Sequence, residues 1–267
     1  MSVQTLYTAA TGMESLETKL DVIANNLANV NTIGFKRDRA NFEDLFYRHE
    51  QLPGKTDSAG QLTPTGIAIG LGSRVSSTQT DFDQGAFQAS QNELDIAIEG
   101  DGFFQVDDPS GETMYTRAGN FSINANGALV MGSAQTGRLI QPNITFPPDT
   151  TGVSISAEGI VEIQQAGSST LTQLGQIQLA HFVNPQGLEK VGENLYRETA
   201  ASGSAVIGNP GTVGIGVLRQ GAIESSNVEP VQELIDLITT QRAFELNSQA
   251  VQAGDQILQL ISNLRRF

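Results

Sequence analysis

The two ends of the 267-residue chain carry apolar residues with heptad spacing. At the N-terminus, a row with alternating steps of three and four residues is interrupted only at Glu17, and a second row with sevenfold spacing runs beside it. Heptads sustained over this length predict an α-helix over residues 1–30 that packs against partner helices. The first row comprises Val3, Leu6, Ala10, Met13, Leu20, Ala24 and Leu27, and the second comprises Ala9, Leu16, Ile23 and Val30.

The same spacing returns without a break at the C-terminus and predicts a second helix over residues 228–267. Ser226 and Glu229 have the spacing of a capping box, and Pro230 is tolerated in a first helical turn. Two adjacent rows make each apolar arc wider than a two-stranded seam, so we expect each helix to contact more than one neighbour. The first row comprises Ala243, Leu246, Ala250, Ala253, Ile257, Leu260, Leu264 and Phe267, and the second comprises Leu237, Phe244, Val251 and Leu258.

From these rows we expect a coiled-coil-like inner domain in which copies of the chain pack together. The pattern leaves one alternative open, an intramolecular helical hairpin packed on the central part of the chain. The candidate residues of a subunit interface are Leu6, Met13, Leu20, Leu27, Leu237, Phe244, Leu246, Val251, Ile257, Leu260 and Leu264.

A neutral polar stripe lies opposite the C-terminal apolar arc, again with steps of three or four residues. A solvated helix face usually mixes Lys and Glu, whereas this stripe carries no charge. We therefore consider it a candidate lumen face of a water-filled channel, with an ordinary solvated face as the alternative. The stripe comprises Gln249, Gln252, Gln256, Gln259 and, at its end, Asn263.

The middle of the chain has the pattern of short β-strands separated by turn residues. Apolar and polar residues alternate over 94–99, and Asn126-Gly127 is a strong hairpin signal between two apolar runs. Ala157-Glu158-Gly159 separates a further pair of such runs. These features predict a β-rich antiparallel domain over 76–218, so the fold class is α+β.

Residues 31–75, together with 219–227, read as an extended connector between the predicted helical and β-rich domains. Within it, residues 50–66 contain two prolines and three glycines and predict a long extended loop. A loop of this length in a compact protein is usually functional or disordered.

Charge and composition exclude several classes of function. The net charge of −14 argues against nucleic-acid binding and against adhesion to anionic membranes. The absence of cysteine rules out disulfides, thiolate metal sites and cysteine catalysis. The N-terminus has neither the basic nor the apolar region of a cleavable secretory signal, and no apolar run is long enough to span a membrane.

The sequence contains few candidate residues for catalysis, metal binding or cofactor binding. His49 and His181 are far apart in sequence and lack metal-ligand spacing, and residues 70–75 only partly match a dinucleotide-binding loop. Glu99 and Asp101 bracket a glycine turn, where paired carboxylates could hydrolyse glycans but are far more often simply solvated. We therefore expect no enzyme, no metal and no cofactor.

Segments from both ends and the centre resemble the bacterial flagellar rod and hook proteins. ATGMESLETKLDVIANNLANVNTIGFKRDRANFEDL (10–45) is similar to the N-terminal signature of that family, LDIAIEGDGFFQV (94–106) with YTRAGNFSINANGALV (115–130) to its central motif, and residues 221–264 to its C-terminal signature. Within the family, 42–54 and 64–87 are most similar to distal rod subunits.

The resemblance implies a subunit of a tubular, helically arranged shaft that crosses the periplasm, transmits torque to the hook and passes exported subunits through its lumen. It implies type III export without a signal peptide. It also implies partners: further copies of the chain, proximal rod subunits, hook or junction proteins, surrounding ring proteins where an outer membrane is present, and the export apparatus. Nucleic acid and direct membrane insertion are not among them.

The resemblance also suggests a role for each part of the chain. The terminal helices would form the inner tube, and the acidic β-rich domain would form the outer surface. Residues 31–75 would wedge between subunits and stiffen the shaft, with contacts from Phe35, Phe42, Leu45 and Phe46. The alternatives are a proximal rod or hook-type axial subunit, a surface-displayed coiled-coil binding module and a glycan hydrolase.

Overall fold

The computed structural model describes residues 3–56, 61–62, 64–108, 111–133, 136–167 and 170–264. The chain forms two compact units, each built from separate stretches of sequence. The terminal unit comprises residues 1–28, 38–80 and 229–267, and the central unit comprises residues 29–37 and 81–228. The three-part division expected from the sequence stays a prediction.

The described part of the terminal unit contains two long helices and four strands. Strands β1 and β4 pair antiparallel, and so do β2 and β3, which flank the predicted 50–66 loop. Residues 57–60 and 63 of that loop, and Phe267 of the C-terminal row, lie outside the described residues. The elements are α1 (Val3–Ala28), β1 (Asp38–Asp44), β2 (Tyr47–Gln51), β3 (Ile67–Gly70), β4 (Ser73–Thr80) and α2 (Pro230–Leu264).

Helices α1 and α2 pack against each other in antiparallel directions. A side chain on Gly12 of α1 would contact Asn247 of α2 at 3.6 Å, and Asn26 near the end of α1 donates to Glu233 near the start of α2. The two contacts lie fourteen residues apart on both helices, which fixes the direction of packing. Within one chain, the helical pairing that the alternative hypothesis expected is therefore present.

In the described residues of the central unit there are sixteen short strands. Its largest sheet has the order β16-β17-β8-β7-β15-β18, with β11 also pairing with β7, and a second sheet has the order β12-β13-β14. The strands are β5 (Phe87–Ala89), β6 (Ile96–Glu99), β7 (Phe103–Asp107), β8 (Thr113–Thr116), β9 (Phe121–Ile123), β10 (Leu129–Met131), β11 (Ile140–Gln141), β12 (Thr150–Ile155), β13 (Ile160–Gln165), β14 (Leu171–Gln176), β15 (Leu179–His181), β16 (Glu189–Gly192), β17 (Leu195–Arg197), β18 (Val206–Gly208), β19 (Val217–Gln220) and β20 (Ala222–Glu224).

All the strand pairs are antiparallel, so the expected combination of terminal helices with a β-rich antiparallel centre is confirmed. The Asn126-Gly127 turn joins β9 to β10, and Gly127 has the positive φ of 79° that such a turn requires. The turn ending at Gly159 likewise joins β12 to β13.

The core of the central unit is divided between the two faces of β7. Neighbouring side chains on a strand point to opposite faces. Phe104 lies in the main apolar cluster and contacts the ring of Phe121 edge-on at 5.0 Å. Phe103 lies in an aromatic cluster with Phe182, whose ring stands edge-on to Tyr115 at 4.8 Å.

The predicted capping box before α2 is wrong. Helix α2 begins at Pro230, so Ser226 lies too far upstream to cap it. Its hydroxyl instead accepts a hydrogen bond from the backbone of Val228 at 3.3 Å. Among the described residues, neither helix is both long and apolar enough to cross a membrane.

Candidate assembly surface

The two apolar rows of α2 have different surroundings within the chain. Leu237, Phe244 and Val251 of the second row are partly buried in the terminal unit, where α2 packs on α1. Leu246 and Leu260 of the first row remain 65% and 63% exposed. Leu246 precedes Val251 by five residues, which corresponds to about 140° around a helix. One row therefore packs within the chain, and much of the other faces solvent.

The exposed apolar surface continues at the beginning of α2. Val231 is 71% exposed, and Leu234, Ile235 and Ile238 are also exposed. Leaving one such side chain in water forgoes about 1.5–3 kcal/mol of burial free energy. Several on one helix make a surface that monomeric proteins seldom retain without a partner.

The polar stripe is exposed as well. Gln249, Gln252, Gln256 and Gln259 all face solvent, and Gln259 donates to Asp255 at 2.9 Å. Gln256 follows Val251 by five residues, so it lies about 140° from the packed row in the opposite sense to Leu246. Helix α2 therefore presents an exposed apolar row and, beside it, a neutral polar stripe, both directed away from the row that packs on α1.

Helix α1 is covered by strands as well as by α2. Leu6, Met13, Leu20 and Leu27 are all half-buried. On the strand side, Ser15 donates to the backbone of Ser73 on β4. The N-terminal candidates are consequently less available than those of α2.

Two further candidates for the subunit interface, Ile257 and Leu264, lie towards the end of α2. Ile257 is half-buried, and the side chain of Leu264 lies outside the described part of the chain.

The ribbon of β2 and β3 exposes apolar side chains to an unusual extent. Phe46, at its base, is 88% exposed, and Tyr47, Leu52, Ile67 and Ile69 are also exposed. Among the described residues, β2 and β3 pair only with each other, so each strand has one free edge. Isolated two-stranded ribbons are at best marginally stable in water, which favours a partner for this one.

The four candidate connector residues are divided between the two compact units. Phe42 is exposed on β1, and Leu45 and Phe46 follow that strand in the terminal unit. Phe35 belongs instead to the central unit, where Lys190 Nζ lies 5.1 Å from its ring centroid. Sequence spacing alone could not reveal this separation.

Electrostatic interactions tie β1 to β4 in the terminal unit. Glu43 and Arg74 are cross-strand partners and form an ion pair. The hydrogen bond from the Arg74 guanidinium is the main reason why the pKa of Glu43 is lowered, and a second hydrogen bond from Ser76 adds to it.

The residues that the sequence suggested as candidates for metal binding or catalysis are dispersed over both units. His49 lies on β2 in the terminal unit and His181 on β15 in the central unit. Glu99 and Asp101 are both exposed. Within the described stretches, no group of three or more His, Asp or Glu side chains is arranged to hold a metal ion.

The central unit also contains a buried ion cluster that no sequence motif predicts. Lys36, Arg117 and Glu224 are at most 4% exposed, and Lys36 Nζ lies 2.7 Å from Glu224 Oε1. The three residues are widely separated in sequence, so no local spacing signals their association.

Three family models match the chain. One, described as flagella basal body rod protein, covers residues 6–36; a second, the flagellar hook protein FlgE/F/G D1 domain, covers 97–163; the third, flagellar basal body rod FlgEFG protein C-terminal, covers 219–264. The chain belongs to the flagellar hook and basal-body rod protein family, and the resemblance noted in its sequence is confirmed.

Curated relatives match along almost their whole length. The chain is 46% identical to the flagellar basal-body rod protein FlgG of Caulobacter vibrioides, over 98% of this chain and 100% of the relative. It is 43% identical to the FlgG protein of Borreliella burgdorferi, over 99% of both chains. It is 40% identical to the FlgG protein of Bacillus subtilis, over 99% of this chain and 100% of the relative.

Proposed function

We propose that the chain is a structural subunit of the flagellar distal rod. It polymerises into a rigid, hollow helical shaft that transmits motor torque to the hook and passes exported subunits through its lumen. The observation that carries this proposal is the end-to-end similarity to basal-body rod proteins. The chain acts as a building element rather than as an enzyme, and needs no cofactor or metal for that role.

The exposed row of α2 supports assembly of copies through the terminal helices. Leu246 and Leu260 face solvent in the single chain, although they belong to an uninterrupted heptad row. Heptad rows are stabilised by partner helices. In the shaft, α2 therefore packs on α1 of its own chain through one row and on neighbouring copies through the other, which produces a coiled-coil-like inner tube from residues 1–30 and 228–267.

The glutamine stripe supports a lumen on the remaining face of α2. Gln252 and Gln256 are exposed and uncharged, and they point away from α1, along one border of the exposed apolar row. A neutral polar wall hydrogen-bonds to water and offers neither apolar patches nor strong charges to a passing unfolded chain.

The β2–β3 ribbon supports the stiffening role of the connector, which we assign to residues 31–75 with 219–227. Its exposed apolar residues, with Phe42 and Phe46 at the base, provide a surface for a neighbouring copy. A wedge between copies restricts their relative rotation and raises the bending stiffness of the shaft.

The β-rich region 76–218 forms the outer surface of the shaft. The central unit, which contains residues 81–218 of this region, carries sixteen acidic and seven basic residues. Its partners are proximal rod subunits below, hook or junction proteins above and ring proteins around it where an outer membrane is present. The subunit reaches the periplasm through the flagellar type III export apparatus.

Electron cryotomography of cells that lack this chain tests the proposal. We expect a motor base with a truncated shaft and no hook, because the distal segment is missing. A full-length shaft without a hook would favour the hook-type alternative, and loss of the shaft from its base would favour a proximal rod subunit. Intact flagella would refute an axial role and favour a coiled-coil binding module.

A further inference from the structure

A short N-terminal segment is built into the central unit as a strap. Residues 33–37, here called the strap, run between helix α1 and strand β1 but belong to the central unit. At one end, Asn194 Nδ2 donates to the backbone oxygen of Ile33 at 3.1 Å. At the other end, the backbone N–H of Arg37 donates to Asn227 Oδ1 at 2.8 Å.

The strap fits closely at Gly34. Its backbone N–H donates to the backbone oxygen of Glu224 at 2.8 Å. Gly34 has a φ of +68°, and a Cβ at this position would lie 2.7 Å from the backbone nitrogen of Ala118. The segments around 118 and 224 therefore meet the strap directly, with no room for a side chain.

The buried ion cluster also holds the strap in place, through the side chain of Lys36. Lys36 Nζ donates to Glu224 Oε1 and to the backbone oxygen of Asp83, both at 2.7 Å. Glu224 Oε1 also accepts the backbone N–H of Gly85 at 2.9 Å, and Glu224 Oε2 lies 3.1 Å from Arg117 Nε. One carboxylate thus joins three regions of the chain to the strap.

The cluster is unfavourable unless all its members are present. Burial lowers the pKa of the Lys36 ammonium, the positive charge of Arg117 lowers it further, and Glu224 opposes both effects. Arg117 is buried too, and its Nη1 donates to the backbone oxygens of Gly100 and Gly102. Without Glu224, folding of the unit would bury two positive charges without the carboxylate that they share, which is strongly destabilising.

We propose that the strap and Glu224 form a latch that makes the central unit close only when residues near both of its chain ends are in place. The strap supplies Lys36 from the beginning of the unit, and β20 supplies Glu224 almost at its end. The core strands between them consequently become stable late, after nearly the whole chain is available.

This folding order has a consequence for export, which rests on the proposed function. A chain that is threaded out with its N-terminus first exposes the strap and the core strands well before residue 224. The latch keeps the partly emerged central unit open until β20 arrives. The folding order itself is a property of the purified chain and is tested independently of any role in the rod.

Pulse-labelling hydrogen exchange during refolding of the full chain tests the latch. The chain is diluted from urea, pulsed at increasing times and analysed by mass spectrometry of peptides covering 33–37, 96–107 and 222–227. We expect the three segments to gain protection with the same rate constant. Protection of 96–107 before 222–227 would overturn the proposal, because the core would then close without Glu224.

Substitution of Glu224 provides a second readout. Glu224→Gln keeps the size of the side chain but removes its charge, so we expect protection of 96–107 to appear about tenfold more slowly or not at all. Glu158→Gln makes the same change in an exposed turn and should refold like the parent chain. Parent-like refolding of Glu224→Gln with faster unfolding would show that the cluster acts only after closure, and would overturn the latch.

Discussion

The side chain of Asn26 holds the backbone of Asp38 at both of its polar groups. Asn26 Nδ2 donates to the Asp38 oxygen at 2.8 Å, and Asn26 Oδ1 accepts the Asp38 N–H at 2.9 Å. The amide thus replaces a strand neighbour at the point where β1 begins. Asn26 is 1% exposed, so both bonds are sheltered from water. This arrangement fixes the start of β1 against the end of α1.

Asn26→Ala should destabilise the terminal unit. The substitution removes both hydrogen bonds to the partly buried backbone of Asp38, and each polar group that loses its bond costs about 1–3 kcal/mol. We expect the free energy of unfolding, measured by urea titration followed by circular dichroism, to fall by about 2 kcal/mol or more. Asn31→Ala, at an exposed position nearby, should change it by less than about 0.5 kcal/mol. Equal effects of the two substitutions would contradict the assigned role of Asn26.

Gly119→Ala should prevent the central unit from folding normally. A Cβ at Gly119 would lie 1.6 Å from the backbone oxygen of Ile96, and this oxygen cannot move aside because the N–H of Ile96 is bonded to Gly119. Gly137→Ala is a matched control, since a Cβ there meets nothing within 4 Å. We expect the first variant to lose protection of 96–107 in hydrogen exchange, whereas the second should retain it.

The parts of the fold predicted from the sequence are those with local signals. Helices α1 and α2 follow from heptad spacing, and the hairpin of β9 and β10 follows from Asn126-Gly127. The start of α2 was misplaced because the chain upstream of Pro230 is held by longer-range contacts. Asn227, one residue after Ser226, donates to the backbone oxygens of Asp81 and Asp83, about 145 residues away in sequence.

The candidate assembly surface was likewise predictable only where it depends on local sequence patterns. The heptad rows indicate which residues of α2 are apolar, but only the packing on α1 distinguishes the row of Val251 from the row of Leu246. Lys36 and Glu224 could not be paired from the sequence, because neither lies in a pattern that refers to the other. Long-range ion pairs carry no periodicity, so they appear only after the fold is known.

Leu260→Asp should block assembly without unfolding the subunit. Leu260 is 63% exposed in the single chain, so a charge there should change the free energy of unfolding by no more than about 0.5 kcal/mol. In the proposed inner tube the same charge would be buried without a partner. We expect no shafts in electron micrographs of basal bodies from cells that express this variant.

Gln252→Asp introduces the same charge on the candidate lumen face and should still allow shafts to form. Val251→Asp, on the row that packs on α1, should instead destabilise the monomer itself. Normal shafts from Leu260→Asp would contradict the assignment of the exposed row.

Tyr115 should make stability fall at alkaline pH. Burial is the main cause that raises the pKa of Tyr115 above its ordinary value of 10.0, and the nearby charge of Glu198 adds to it. Above pH 10 the unfolded chain releases this proton while the folded chain retains it, so the free energy of unfolding decreases as the pH rises through that range. Tyr115→Phe removes this contribution. Urea titrations between pH 9 and about 11.5 should therefore show a shallower decline for the variant, and identical slopes would contradict the prediction.

Shortening the β2–β3 ribbon should make the shaft more flexible without abolishing it. Gln51 and Ile67 form the last pair of the ladder, so replacing 52–66 with Asn-Gly closes the ribbon with a two-residue turn. The heptad rows of α1 and α2 remain intact, and the inner tube should still assemble. With less surface to wedge between copies, isolated shafts should bend more in electron micrographs and have a shorter persistence length.

Phe46→Ser, which keeps the loop but removes the most exposed aromatic ring of the ribbon, should produce a smaller change in the same direction. Unchanged stiffness in both variants would refute the stiffening role.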